Sequence, residues 1–326
     1  MAELTQQNKW APLAATDADR EKIWAKSRSF AGDVWYRFRH KPTAIAGFVI
    51  ILVLALFALV GPMLTPYDYA MQNLELVNIP PLMKVYVGPS GEYLYITQNL
   101  RVLSVNPDGT LGHQLTRVRE EDDKSMTIYE SNGQEVALYY GGSPYVIADE
   151  ATGNIYSTKM VWNGSYLLGT DALGRDILAR LMYGTRVSLV VAFVAALVNM
   201  VIGILYGGIA GYAGGAVDAV MMRIVDIIST IPLTLYVILI MQLLGNGIQS
   251  IIIALGTVYW VDMARVVRGQ VLSLKQQEFG LAARTMGSSP ATILRRHLLP
   301  NALGSILVTL TMLIPSAIFM EAFLSY

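Results

Sequence analysis

Apolar residues along the chain gather into five long blocks separated by polar stretches. The first, 43–64, reads TAIAGFVIILVLALFALVGPML and holds no charged side chain. At 1.5 Å rise per residue, about 22 residues cross the roughly 30 Å hydrocarbon core of a bilayer. Pro62 and Pro66 mark its far end. About 40 mostly polar residues precede the block, too many for a cleaved signal peptide, so it reads as a retained anchor. Four more blocks follow Arg186, over 187–206, 220–244, 248–261 and 303–324. The 248–261 block is short for a span and is expected to run on through 262–267 to the interface. One such block is compatible with a buried helix of a soluble core, but five predict an all-α polytopic membrane protein.

Composition agrees and narrows the function classes. Of 326 residues, 54% are hydrophobic and only 15% charged, with a mean hydropathy of +0.45, against roughly 25% charged in soluble domains. The 24 basic and 24 acidic side chains cancel, which leaves no basic excess for nucleic acid, and the hydrophobicity excludes a disordered chain. With no cysteine, disulfide frameworks, thiolate metal sites and cysteine nucleophiles are excluded together.

The zero net charge is a sum of unequal parts. Residues 1–42 carry Lys9, Arg20, Lys22, Lys26, Arg28, Arg37, Arg39 and Lys41, and 262–297 carries Arg265, Arg268, Lys275, Arg284, Arg295 and Arg296 against Asp262 and Glu278. Between the first two blocks, 65–166 holds six basic residues (Lys84, Arg101, Arg117, Arg119, Lys124, Lys159) and twelve acidic ones. Basic segments stay in the cytoplasm, so the N-terminus and 262–297 are expected inside and the acidic segment outside. The parity of five spans gives the same answer. Arg175, Arg180 and Arg186 fall on the outer side, partly offset by Asp171 and Asp176.

The acidic segment has its own pattern. Short runs rich in β-branched and aromatic residues recur at 84–87, 92–97, 101–105, 126–130, 135–140, 145–148 and 154–158, divided by turn signals at 88–91, 106–109, 131–133 and 152–154. This predicts a small antiparallel sheet, sandwich or barrel. It is read either as a cap over the outer mouth of a membrane pore that contacts a delivery protein or substrate, or as a structural cap. His113 is its only histidine, so no nucleophile–histidine–acid set is present. The run Glu120-Glu121-Asp122-Asp123 lacks the alternation and glycine of a calcium loop and reads as a solvated loop.

Within the blocks, Gly203, Gly207 and Gly211 share one helix face at four-residue spacing, a seam for close helix packing. Pro232 lies near the middle of the third block and predicts a kink, either a gate or a static bend. Arg223 is expected to pair with Asp226 at i, i+3 near the cytoplasmic end, beside Asp218, in a structural role. No carboxylate pair or histidine set lies deep in the later blocks, which disfavours a proton-coupled carrier or a membrane metalloenzyme.

The 262–300 segment reads Gln276-Gln277-Glu278-Phe279-Gly280-Leu281-Ala282-Ala283-Arg284-Thr285-Met286-Gly287, nine residues, then His297-Leu298-Leu299-Pro300-Asn301. It predicts one helix over about 271–286, ended by Gly287, and a second capped by Ser289 with Pro290 in its first position. Ala282 and Ala283 offer a small-residue face to a partner. The segment resembles the coupling loop of ATP-binding-cassette importer permeases: Ala282, Ala283, Gly287, Leu299 and Pro300 match at the family spacing, while Leu281 and His297 stand where the family has Glu and Ile. Glu278 fits the Glu-Phe-x-x-Ala-Ala form of the peptide-transporter branch. Gly169-Thr170-Asp171-Ala172-Leu173-Gly174-Arg175-Asp176, followed by Arg180, Gly184, Arg186 and Ser188-Leu189, resembles the run before the second span of dipeptide and oligopeptide permeases of the second-permease, C-subunit type. Read from its residues alone, that run is an external amphipathic helix starting near Asp171.

The resemblance covers about 28–66 and 167–326 and leaves the β-rich insert outside it. It implies the type I importer permease fold with an inserted extracytoplasmic β-rich domain. The organisation is then a cytoplasmic segment 1–42, a span 43–64, an external insert 65–166 and a permease core 167–326 with coupling loop 262–300. It implies a multi-pass protein of the bacterial inner membrane importing di- or oligopeptides. The implied partners are a second permease, two cytoplasmic ATP-binding subunits and an external substrate-binding protein or lipoprotein. No Gly-x-x-x-x-Gly-Lys-Ser/Thr loop occurs, so ATP hydrolysis is expected on partner subunits, with no cofactor here. The family continues beyond the equivalent of 321–326 into a further span, so a truncated chain is expected. Alternatives keep the machinery with nickel chelates, glutathione or an opine-like solute, or replace it with a membrane-anchored sensor or assembly protein.

Overall fold

The computed structural model describes residues 30–131, 133–245 and 247–325, without the side chains of residues 30, 31 and 325. Lys9, Arg20, Lys22, Lys26 and Arg28 lie outside the described residues, as does Asn132 in one of the expected turns. Met1–Leu54 and Ala55–Tyr326 form separate compact units.

The first unit contains helix α1, Phe30–Arg39, and most of α2, Pro42–Leu64. In the second unit, nine strands form two antiparallel sheets. The strands are β1 (Leu82–Val87), β2 (Tyr93–Ile96), β3 (Val102–Val105), β4 (Leu111–Gln114), β5 (Thr116–Glu121), β6 (Met126–Ser131), β7 (Gln134–Tyr139), β8 (Val146–Asp149) and β9 (Ser157–Trp162). One sheet runs β4-β3-β2-β1-β9 and the other β5-β6-β7-β8. The period of two sends alternate side chains to opposite faces. Tyr86, Leu94 and Val102 therefore share a core with Tyr129, Val136, Leu138 and Ile147 of the second sheet. Met83, Val85, Tyr95 and Leu103 meet Leu76 and Ile79 on the other face. Two strands, β4 and β5, were not expected from sequence. Both are edge strands, and β5 (TRVREE) carries the charges that blunt edges. Glu120 and Glu121 of the acidic run end β5. Glu121 sits 2.7 Å from Lys124, which with Arg119 draws its carboxyl below the usual range despite some burial.

The helices follow as α3 (Ile177–Ala213), α4 (Gly215–Ser229), α5 (Leu233–Leu244), α6 (Ile248–Val258), α7 (Trp260–Leu274), α8 (Glu278–Thr285), α9 (Pro290–Ile293) and α10 (Leu299–Ser325), the last preceded by a π turn at Leu294–Leu298. Among the described residues four helical stretches are long and apolar enough to cross a membrane: Pro42–Leu64, Ile177–Ala213, Ile248–Leu274 and Pro290–Leu324. The remaining block is α4 and α5, bent by 82°. The block is thus broken rather than gently kinked. Thr230, Ile231 and Pro232 lie between the two helices, and Pro232, lacking an N–H, takes the position just before α5. The short fourth block reaches beyond 267 to Leu274, because α7 follows α6 across Tyr259. The second block begins ten residues earlier than its apolar pattern, at Ile177.

Candidate functional site

The charged and motif-bearing residues collect where α3 and α7 end and where α4 and α8 begin. Gly203, Gly207 and Gly211 lie on the face of α3 turned to α7. A Cβ on Gly203 would sit 2.5 Å from Met263 Cβ, one on Gly207 2.2 Å from the Ala264 carbonyl oxygen, and one on Gly211 2.8 Å from that of Arg268. The two helices therefore touch backbone to backbone and run parallel.

Charged side chains fasten the remaining neighbours to α7. Arg268 grips Asp218 of α4 through Nε and Nη2, both at 2.5 Å, the bidentate geometry that makes such pairs directional. Arg265 donates to Asp226 at 3.2 Å and to Ser229 Oγ at 2.6 Å. Asp226 thus pairs between helices and not with Arg223 one turn away: α7 lies alongside α4, so its arginine reaches the carboxylate from a neighbouring surface. Lys275, just past α7, donates to the carbonyls of Gly211 and Tyr212 at 2.9 and 3.2 Å, capping the carbonyl end of α3 with a cation.

Beyond this clamp the chain turns. The helix expected over 271–286 is interrupted at 275–277, since Lys275 is drawn to α3 and α8 starts afresh at Glu278. Gly280 sits on the turn; a Cβ there would meet the Leu274 carbonyl oxygen at 3.0 Å. At the far end of α8, Ser288 N–H donates to Ala283 and Gly287 N–H to Arg284, both at 3.1 Å. That is a Schellman ending, and it puts Gly287 at φ +77°, a conformation glycine adopts without strain. Ser289 then accepts from Thr292 N–H at 3.3 Å with Pro290 in the first helical turn. Glu278 and Ala282 are exposed, whereas Ala283 is buried with Val267, Val271, Ile293, Leu298 and Ala302. The two alanines therefore do not form one face: Ala283 seats α8 on its own bundle, and Ala282 points outward beside exposed Phe279, Leu281 and Met286. Leu299 is half-buried and Pro300 exposed at the start of α10.

The second motif lies at the other end of α3. Asp171 does not begin a helix. Its carboxylate accepts from the backbone N–H of Leu173 and Arg175 and from Arg175 Nε, all at 2.9 Å, and from Arg180. Burial alone would raise its pKa, but these donors outweigh it and hold it at about 2. The donors close the chain into a tight turn, and the helix starts only after Asp176, which caps it by accepting from Leu178 and Ala179 N–H. Gly174 (φ +70°) packs against the Asn73 carbonyl, where any Cβ would overlap backbone; Gly169 lies as close to Ile79. Thr170 Oγ1 accepts from Ile79 N–H at 2.9 Å and donates to the Leu76 carbonyl at 2.5 Å. Sequence reasoning missed Thr170, Lys275, Arg265 and Arg268 as positioning residues; their types allow it, but their partners lie far along the chain. Among the described residues no group of three or more His, Asp or Glu is placed to hold a metal.

The profile described as "Binding-protein-dependent transport system inner membrane component" matches residues 201–326, and that described as "N-terminal TM domain of oligopeptide transport permease C" matches residues 29–81. The chain is 35% identical over 320 residues, 98% of its length and 78% of the relative's, to the oligopeptide transport system permease protein OppC of Bacillus subtilis (strain 168). It is 33% identical over 94% of its length to the dipeptide permease protein DppC of the same strain, of which 71% is covered. To OppC of Escherichia coli (strain K12) it is 33% identical over 94% of this chain and 75% of that one. An alignment over 98% of the chain includes the sheets. The likeness thus extends through the β-rich segment, whose sequence lacked a motif to reveal it.

Proposed function

Because the chain belongs to the oligopeptide and dipeptide permeases of binding-protein-dependent ATP-binding-cassette importers, we propose that it forms half of a peptide-conducting pathway and passes a partner's ATP cycle to it through the α8–α9 loop. In this reading a second permease completes the pathway, two cytoplasmic ATP-binding subunits bind the loop, and an external binding protein or lipoprotein delivers peptide. The N-terminus and 262–300 face the cytoplasm. The sheets form an extracytoplasmic domain set into the helical core, and the divisions 1–42, 43–64, 65–166 and 167–326 are functional as well as compositional.

The observation that carries the reading is the build of the loop. Its inner side (Gly280, Ala283, Ile293, Leu298) is buried on α7 and α10, while Glu278, Phe279, Leu281, Ala282 and Met286 stay outward. A force applied to those outward residues reaches α7 directly and α3 through Lys275. The Pro232 break is the hinge at which α4 and α5 change their angle as the pathway opens. The Gly169–Asp176 turn fixes the outer start of α3, and the Gly203–Gly207–Gly211 seam keeps α3 and α7 moving as one. ATP hydrolysis then takes place on the partners. Relatives named for oligopeptides and dipeptides favour that cargo over nickel chelates, glutathione or opine-like solutes, and favour a transporter over a sensor.

The test is peptide uptake by the co-expressed complex carrying Glu278→Arg or Gly287→Arg. The strain of an L-residue at Gly287 is about 1–2 kcal/mol, too small to prevent insertion. Uptake is expected to fall to background with membrane insertion unchanged. Undiminished uptake through both substitutions would overturn the assignment.

A further inference from the structure

Helix α1 stands just before the first span, outside the loop proposed for coupling. At about 100° per residue, Val34, Phe38 and Trp35 share one arc of FAGDVWYRFR, with Arg39 beside Trp35 on one flank, Arg37 on the other, and Asp33 and Tyr36 opposite. The arc is largely uncovered: Trp35 is 60% and Val34 51% exposed. Trp35 stacks on Phe38 at 5.7 Å, and Phe38 meets Phe48 of α2 edge-on at 5.7 Å. Phe48 belongs to an uncovered apolar surface with Ile45, Ile51 and Leu52, on a 23-residue span of high hydropathy. The aromatic arc of α1 is thus continuous with a surface made for hydrocarbon, which sets its flanks, Arg39 among them, at head-group depth.

The cations there are not all spent within the protein. Arg37 is held by Asp33 at 2.8 Å, but Arg39 and Lys41 have no ion-pair partner among the described residues. Exposed cations beside a tryptophan, at the mouth of an apolar span, match the phosphate layer of an acidic leaflet.

We propose that α1 is an interfacial helix that binds acidic phospholipid head groups through Arg39 and Lys41, with Trp35 and Phe38 in the acyl boundary. The proposal rests on Pro42–Leu64 being a membrane span and on nothing about cargo or coupling.

The full chain is reconstituted in phosphatidylcholine vesicles containing a minor fraction of phosphatidylglycerol, with bromine on the acyl chains of one lipid or the other. The Trp35 signal is the fluorescence difference between the native protein and Trp35→Phe. Brominated phosphatidylglycerol should quench it roughly threefold more efficiently than brominated phosphatidylcholine at equal mole fraction, and salt should weaken that preference. In Arg39→Gln/Lys41→Gln the ratio should fall to unity while quenching by phosphatidylcholine persists. A ratio of unity in the native protein would overturn the proposal. So would quenching by neither lipid in protein that still floats with the vesicles, an outcome pointing to an acidic protein surface as the occupant. Protein that does not float would overturn the span and the proposal together.

Discussion

The sheets and the helices of this chain differ in what they expose and in how they are fastened. In the sheets, Met83, Val85, Leu94, Ile128 and Leu138 are fully enclosed while charges crowd the edge strand β5. In the helices, Phe193, Met312 and Phe319 are uncovered, and the interior holds, beside apolar residues such as Leu255, Met263 and Ile306, glycine, alanine and paired charge: Gly207 against Ala264, Asp218 against Arg268. The sheets are stabilised by removing apolar surface from water. Between helices in a bilayer that drive is absent, because lipid is as apolar as leucine, and close packing with polar fastenings replaces it. One polypeptide therefore follows two rules, and hydrophobicity alone does not separate core from surface in it.

That contrast is open to graded tests. Ile128→Ala in the enclosed core of the sheets should cost most, about 2–5 kcal/mol, seen as proteolytic opening of the sheets at lower denaturant. Asp171→Asn should cost roughly 2 kcal/mol, the equivalent of moving its pKa from about 2 to its ordinary value. Because that pKa is lowered on folding, the stabilisation is complete above about pH 4 and is lost as the pH falls toward 2. An acid-unfolding profile of the native chain should show this dependence and that of Asp171→Asn should not. Phe193→Leu on the outward face of α3 should change the stability of the isolated chain in a bilayer by less than about 0.5 kcal/mol. A large loss there would mean that Phe193 is packed in the chain's own core, and the two-rule contrast would fail.

What sequence reading recovered was local. Ser289-Pro290 and Gly287 announce a helix start and a helix end with chemistry contained in a few residues, and both are found in place. The apolar blocks likewise follow from composition over one helix length. Contacts that join distant positions stayed invisible: Lys275 reaches a carbonyl 64 residues away and Arg268 a carboxylate 50 away, and no periodicity encodes either. The nearest-neighbour rule also misled where a better partner came from elsewhere, as Arg265 displaced Arg223 at Asp226. Strands β4 and β5 escaped because an edge strand is selected to look unlike a strand.

Helix α3 runs for 37 residues, roughly 55 Å at 1.5 Å per residue. One end is held by the Lys275 ammonium and the other by the turn that ties Thr170 and Asp171 to residues 76–79 below the sheets. A rod driven at one tip and linked to a load at the other is a lever. Tilting it by about 5° at the loop sweeps the far tip through about 5 Å. If α3 carries motion as proposed, its length sets the ratio between the movements of its two ends, and inserting or deleting a single turn within it would change that ratio while leaving the contacts at both ends intact.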